Sequence, residues 1–155
     1  EGCTLPELRP IPVPRASPVR EVACACGSLA TLHEDGAVCV GGWCSLTRSN
    51  RLVALELATP MTHVAITDCH MVLLGNDGTA WTCGAWPDDH KMARHTEEAV
   101  ICPLSPVPLE GVVEIAACNV HVPQALTLLR VHEGGWRAWG AQQSGATWDL
   151  GGSAV

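Results

Sequence analysis

VACACGSLATLHEDGAVCVGG, residues 22–42, and VAITDCHMVLLGNDGTAWTCG, residues 64–84, are two versions of one pattern. Each has an apolar run, a small or polar break, a second apolar run, an Asp-Gly pair and a third run ending in glycine. Asp-Gly between apolar runs signals a hairpin, because the turn needs positive φ, which glycine reaches without a Cβ clash. A third copy begins IAACNVH at Ile115, so the copies start 42 and 51 residues apart. A repeat of this length fixes the architecture before any local propensity does.

The copies share an internal register. Six residues after each start stand Ser28, His70 and His121, and a turn glycine is followed six residues later by a second glycine: Gly36 with Gly42, Gly78 with Gly84, and Gly134 with Gly140. The first two copies place the turn glycine eight residues after the six-position residue, whereas His121 to Gly134 spans thirteen, a five-residue insertion. Each copy reads as three short strands, in the first copy Val22 to Ala25, Leu29 to Leu32 and Val38 to Val40. Asn76-Asp77-Gly78 repeats the turn, and Glu133-Gly134-Gly135 is its looser equivalent. A lone hairpin is marginal in water, so such units need stacked neighbours to bury both faces.

Outside the repeats, residues 1–18 hold five of the eleven prolines. Proline lacks the donor that a central strand requires, so this segment reads as an extended lead-in. The three repeats then occupy about 19–59, 60–106 and 107–150 within residues 19–155. LATPMTH and SPVPLEGVVE introduce the second and third repeats in the same proline-bearing way. The polar stretches Trp43 to Thr59 and Ala85 to Pro106 read as loops at the rim or face of the array.

Composition agrees with a packed sheet protein. The 155 residues are 47% hydrophobic and 16% charged, the balance of a chain that folds rather than one that stays solvated. Phe and Tyr are absent and six Trp are the only aromatics, so Val, Leu, Ile, Ala and Cys must fill the core. The longest apolar runs fall short of the roughly 18 residues that cross a bilayer, so no membrane insertion is expected. A net charge of −7 without a Lys/Arg block disfavours direct contact with nucleic acid. The nine Cys lie mostly in strand-like runs, which points to thiols in an intracellular, reducing compartment; the sequence does not separate cytoplasm, nucleus and mitochondrion. With no initiator Met, signal-like run or presequence-like start, the chain reads as processed or as a fragment.

Val22-Ala23-Cys24, His70, His121, Asp35-Gly36, Asp77-Gly78 and Trp139-Gly140, followed by Ala141-Gln142-Gln143-Ser144-Gly145, resemble the repeat of the regulator of chromosome condensation family over roughly residues 11 to 148. The sequence departs from that repeat where Ala25, Thr67 and Cys118 replace a glycine, Ser28 a histidine, and Gly41 and Cys83 a tryptophan. The resemblance implies an all-β fold, a partial β-propeller of about three blades. Propellers close with about four to eight blades, and the family's ring has seven. Either further blades lie outside these residues or another chain covers the open edges.

Other chemistries were weighed against this one. Cys24-x-Cys26 and Cys118-x-x-His121 are possible zinc pairs, but Cys24, Cys39 and Cys83 fall at ordinary strand positions, so buried thiols are the better reading and no metal or other cofactor is expected. Cys69 or Cys118 with a nearby His lacks a legible third group for nucleophilic catalysis. His70 and His121 read as residues that fix their blades by hydrogen bonding to backbone. GxxxxGK, GxSxG and HExxH are all absent. Candidate partner contacts are Trp43 and Trp86, just beyond strand-ending glycines, and the loop Asp88-Asp89-His90 with Glu97 and Glu98. The expectation is a non-catalytic scaffold that presents loops and sheet edges to protein subunits of a larger intracellular protein or ribonucleoprotein assembly. The alternative, carried by the family resemblance, is a guanine-nucleotide exchange factor for a Ran-type small GTPase.

Overall fold

The computed structural model describes residues 11–25, 27–42, 51–67, 70–84, 102–107, 109–121, 124–132, 135–140 and 148–149. They form three four-stranded antiparallel sheets. The first contains β1 (Val19–Ala25), β2 (Ser28–His33), β3 (Val38–Gly42) and β4 (Val53–Ala54). The second contains β5 (Met61–Ile66), β6 (His70–Gly75), β7 (Ala80–Gly84) and β8 (Cys102–Pro106). The third contains β9 (Val112–His121), β10 (Gln124–Val131), β11 (Trp136–Gly140) and β12 (Trp148–Asp149). Neighbours within each sheet follow chain order, and β5 lies against both β1 and β9, so the first strands form the inner edge of a fan. Among the described residues no helix is long and apolar enough to cross a membrane.

Each sheet has a fourth, outer strand where the sequence reads as loop. β4 is only two residues long, too short to show a period. β8 contains Pro103 and Pro106, which argue against a strand in general but are tolerated at an edge, where a missing N–H costs no ladder bond. The inner strands also begin earlier than expected: β1 starts at Val19 and carries a register shift between Val19 and Glu21.

Two cores lie between the sheets. Ala30, Leu32, Val38 and Val40 of the first sheet meet Met61, Val64, Ile66, Met71, Leu73 and Cys83 of the second. Val72, Leu74 and Ala80 on the opposite side of the second sheet meet Val112, Ile115 and Leu129 of the third. The alternation of strand side chains produces this division, because odd and even positions of β6 face different neighbours. Each sheet thus has a near face, toward lower residue numbers, and a far face. The crossing segments join the cores, Leu55 and Leu57 in the first and Val107 and Leu109 in the second.

The Asp-Gly turns also join the blades. In the first, Gly36 N donates to His33 O at 2.9 Å and His33 N to Ala37 O at 2.9 Å, while Asp35 Oδ1 accepts from Ala37 N at 3.1 Å. The second repeats it, with Gly78 N to Gly75 O at 3.1 Å and Asp77 Oδ1 accepting from Thr79 N at 3.0 Å. Each turn glycine then accepts from the first strand of the next blade: Met61 N to Gly36 O at 2.8 Å, and Val112 N to Gly78 O at 3.1 Å. The sequence signal for a hairpin therefore also marks the clip to the following sheet.

Gly36 is held at φ +78°, and a Cβ there would lie 2.5 Å from Pro60 Cβ and 2.9 Å from its Cα. Gly36→Ala combines left-handed strain with a backbone clash, and is expected to cost about 2 kcal/mol or more of stability. Urea unfolding of the variant beside the parent measures it.

Candidate interaction surface

The buried polar groups that hold the blades in place fix what the array can present. His70 opens β6 opposite Gly84, on the far face of the second sheet, and is buried. Its N–H donates to Thr67 Oγ1 at 3.0 Å, its Nδ1 lies 2.8 Å from the same oxygen, and Thr67 N donates to its carbonyl at 2.8 Å. Across the sheet gap, Nε2 lies 2.5 Å from Oγ1 of Thr127 on β10. With Thr67 Oγ1 donating to His70 O at 3.1 Å, the tautomer that fits these contacts carries its proton on Nδ1 and accepts from Thr127 at Nε2. His70 thus fixes its own hairpin, as the sequence suggested, and ties the second blade to the third, which the sequence did not show. Thr67 and Thr127 are buried with it, so this constellation is a structural lock with no access for a substrate.

His121 does not occupy the corresponding place. Ser28 faces Gly42, His70 faces Gly84, and in the third sheet Leu126 faces Gly140. The five-residue insertion falls between Ile115 and Leu126 and lengthens the β9–β10 hairpin, so that His121 pairs with Gln124 near its tip. Counting from the start of the repeat aligned the wrong residue, because added residues extend a ladder without altering its hydrophobic alternation.

The lead-in is anchored to the first blade. Buried His33 has Nδ1 2.6 Å from Ser17 O and Nε2 3.2 Å from Thr31 Oγ1, and Glu34 N donates to Pro18 O at 3.0 Å. Arg15 donates to Asp35 Oδ2 at 2.6 Å on the surface. The hydrogen bond from Arg15, joined by the Ala37 amide, holds the Asp35 carboxyl below its usual range. A carboxylate lowered in the fold contributes stability that is present above the unfolded-chain value near 4 and is lost as pH falls through the lower folded value. Arg15→Ala is expected to move the Asp35 midpoint back upward, as read by NMR titration of its carboxyl carbon.

Of the anticipated contact residues, Trp43, Trp86, Asp88, Asp89 and His90 lie outside the described residues, as does Gly134. Cys24, Cys39, Cys83 and Cys118 are thiols; Cys39 and Cys83 are buried, and Cys24 and Cys118 are exposed. Burial pushes the Cys39 thiol up, against a smaller opposing hydrogen bond from Thr31. Among the described residues no group of three His, Cys, Asp or Glu side chains is placed to hold a metal ion.

With this geometry established, the solved structures most like it are informative. Human WBSCR16 superposes with a TM-score of 0.64 at 18% identity, over 83% of this chain and 34% of that one. Prp20p of Saccharomyces cerevisiae, described with its binding to Gsp1p and histones, superposes at 0.56 and 15% identity, over 79% of this chain and 33% of that one. Yeast RCC1 (Prp20) bound to Kap60 gives 0.56 and 16%, over 79% and 32%. The fold is that of the RCC1-like propeller repeat. No protein-family model and no curated protein matches the sequence. The RCC1-like chain spans about a third of the length of each of these structures, and their three- to four-stranded blade is the unit it repeats three times.

Proposed function

We propose that this RCC1-like chain is a non-catalytic scaffold, an interaction subunit within a larger intracellular assembly. One observation carries the reading. Its three blades are fixed to one another by two aliphatic cores, two backbone clips and the His70–Thr127 contact, yet the stack covers only a third of the structures it resembles. Rigid sheets with open ends favour the holding of partners, since sheet faces and edges left open are sites for association. Thiols buried at strand positions, Cys39 and Cys83, support a reducing compartment. Affinity isolation of the tagged chain from its source, with stoichiometry measured for each companion, is expected to return a defined set of polypeptides at fixed ratio. Recovery of a folded monomer alone would contradict the proposal.

A second reading is a Ran-type small GTPase as partner. It is supported by the binding of Prp20p to Gsp1p, a GTPase of that class. Fold similarity does not transfer activity by itself. Release of fluorescent guanine nucleotide from such a GTPase, unchanged by added chain, would dismiss exchange activity.

A further inference from the structure

The two ends of the stack are not alike. At the near face of the first sheet, Val19 is 42% and Val22 58% exposed, and Cys24 is exposed beside them. The same positions in the second sheet are Met61 at 2% and Val64 at 4%, and in the third Val112 at 2% and Ile115 at 9%. The lead-in adds Ile11, also exposed, along the path that Leu55 and Val107 take into the cores between blades. This end carries the same half-interface that the second and third blades complete with the far face of the blade before them. What covers those equivalent positions is visible: a sheet face with Leu32, Val38, Ala30 and Val40, or with Leu74, Ala80 and Val72.

The far face of the third sheet departs from that pattern in one row. Arg130 pairs with Trp136 in the register where Leu32 pairs with Val38 and Leu74 with Ala80. Arg130 Nε donates to Glu114 Oε2 at 2.7 Å, and its guanidinium lies 6.0 Å from the Trp136 ring centre. A charged, bulky row replaces an aliphatic one. Docking another first blade here would bury an ion pair that water now solvates, against a valine surface without compensating partners. Head-to-tail stacking of identical chains, which would propagate without closing, is thereby opposed.

We propose that the near face of the first blade, Val19, Val22 and Cys24 with Ile11 of the lead-in, docks the far face of an RCC1-like sheet on a different polypeptide. That partner sheet has aliphatic residues in the row where this chain has Arg130 and Trp136, and those two residues keep copies of this chain from serving as the partner. The inference rests on the scaffold reading but is tested separately, without companions from the source. The probe is the full chain with Arg130→Leu and Trp136→Ala, which recreates the Leu74–Ala80 row; Arg130→Met alone is the milder second variant. Analytical ultracentrifugation is expected to show the parent as single chains and the double variant self-associating at least tenfold more tightly. Adding Val22→Arg to the double variant is expected to abolish the gain. Either variant remaining folded by near-ultraviolet circular dichroism but monomeric would overturn the proposal, as would association that survives Val22→Arg. Self-association of the parent through Val22 would also overturn it, because a second copy would then be the occupant.

Discussion

Leu73→Ala is expected to lower the unfolding free energy by about 3 kcal/mol, within the usual range of roughly 2–5 for a leucine truncated in a core. Leu73 is fully buried on the near face of β6, among Met61, Val64, Met71 and the aliphatic residues of the first sheet. Its side chain fills the gap between two blades, so relaxation would require one sheet to move toward the other. The clips at Gly36 and Met61 oppose that movement, which places the cost above the minimum for the lost methyl groups. Urea denaturation followed by tryptophan fluorescence measures it. A change below about 1 kcal/mol would mean that the blades are not packed face to face as described.

His70→Ala is expected to be almost as damaging, at about 2–4 kcal/mol, by a different route. It leaves Thr67 and Thr127 hydroxyls buried, removes a partner from each, and opens a cavity between the second and third sheets. Thr127→Val removes only the contact across the gap and is expected to cost about 1–2 kcal/mol. The decisive comparison is the double variant. If Nε2 and Thr127 Oγ1 are bonded, the two substitutions together cost less than their sum by about 1 kcal/mol, the signature of a shared interaction. Additive costs would place the role of His70 wholly within its own hairpin.

The fold was legible because its signals are local and repeated. Asp35-Gly36 and Asp77-Gly78 mark turns whose geometry only a few residues accept, and two copies in one register are hard to produce by chance. The outer strands escaped notice because β4 and β12 have two residues each and β8 contains two prolines; the neighbouring sheet edge defines them more than their own propensity does. The function of His70 was half legible, since a local hydrogen bond follows from position whereas contact with Thr127, fifty-seven residues away, requires knowledge of blade order. His121 was misaligned because a lengthened hairpin keeps the alternation that the eye follows. The departure at Arg130 was readable only once the ladders put it in register with Leu32 and Leu74. The loops bearing Trp43, Trp86 and Asp88 to His90 lie outside the described residues, so their candidacy stands where the sequence left it.

Cys24 offers the most direct test of the claim that this chain works through an open first blade. In the chain purified alone, Cys24 and Cys118 are expected to react rapidly with iodoacetamide, while buried Cys39 and Cys83 react only on unfolding. The measurement is the rate of Cys24 alkylation, read by mass spectrometry, in the chain alone and in the assembly isolated gently from its source. The account predicts that Cys24 is protected at least tenfold in the assembly. Equal labelling of Cys24 in both samples would contradict it, because the near face of the first blade would then be open where the protein works.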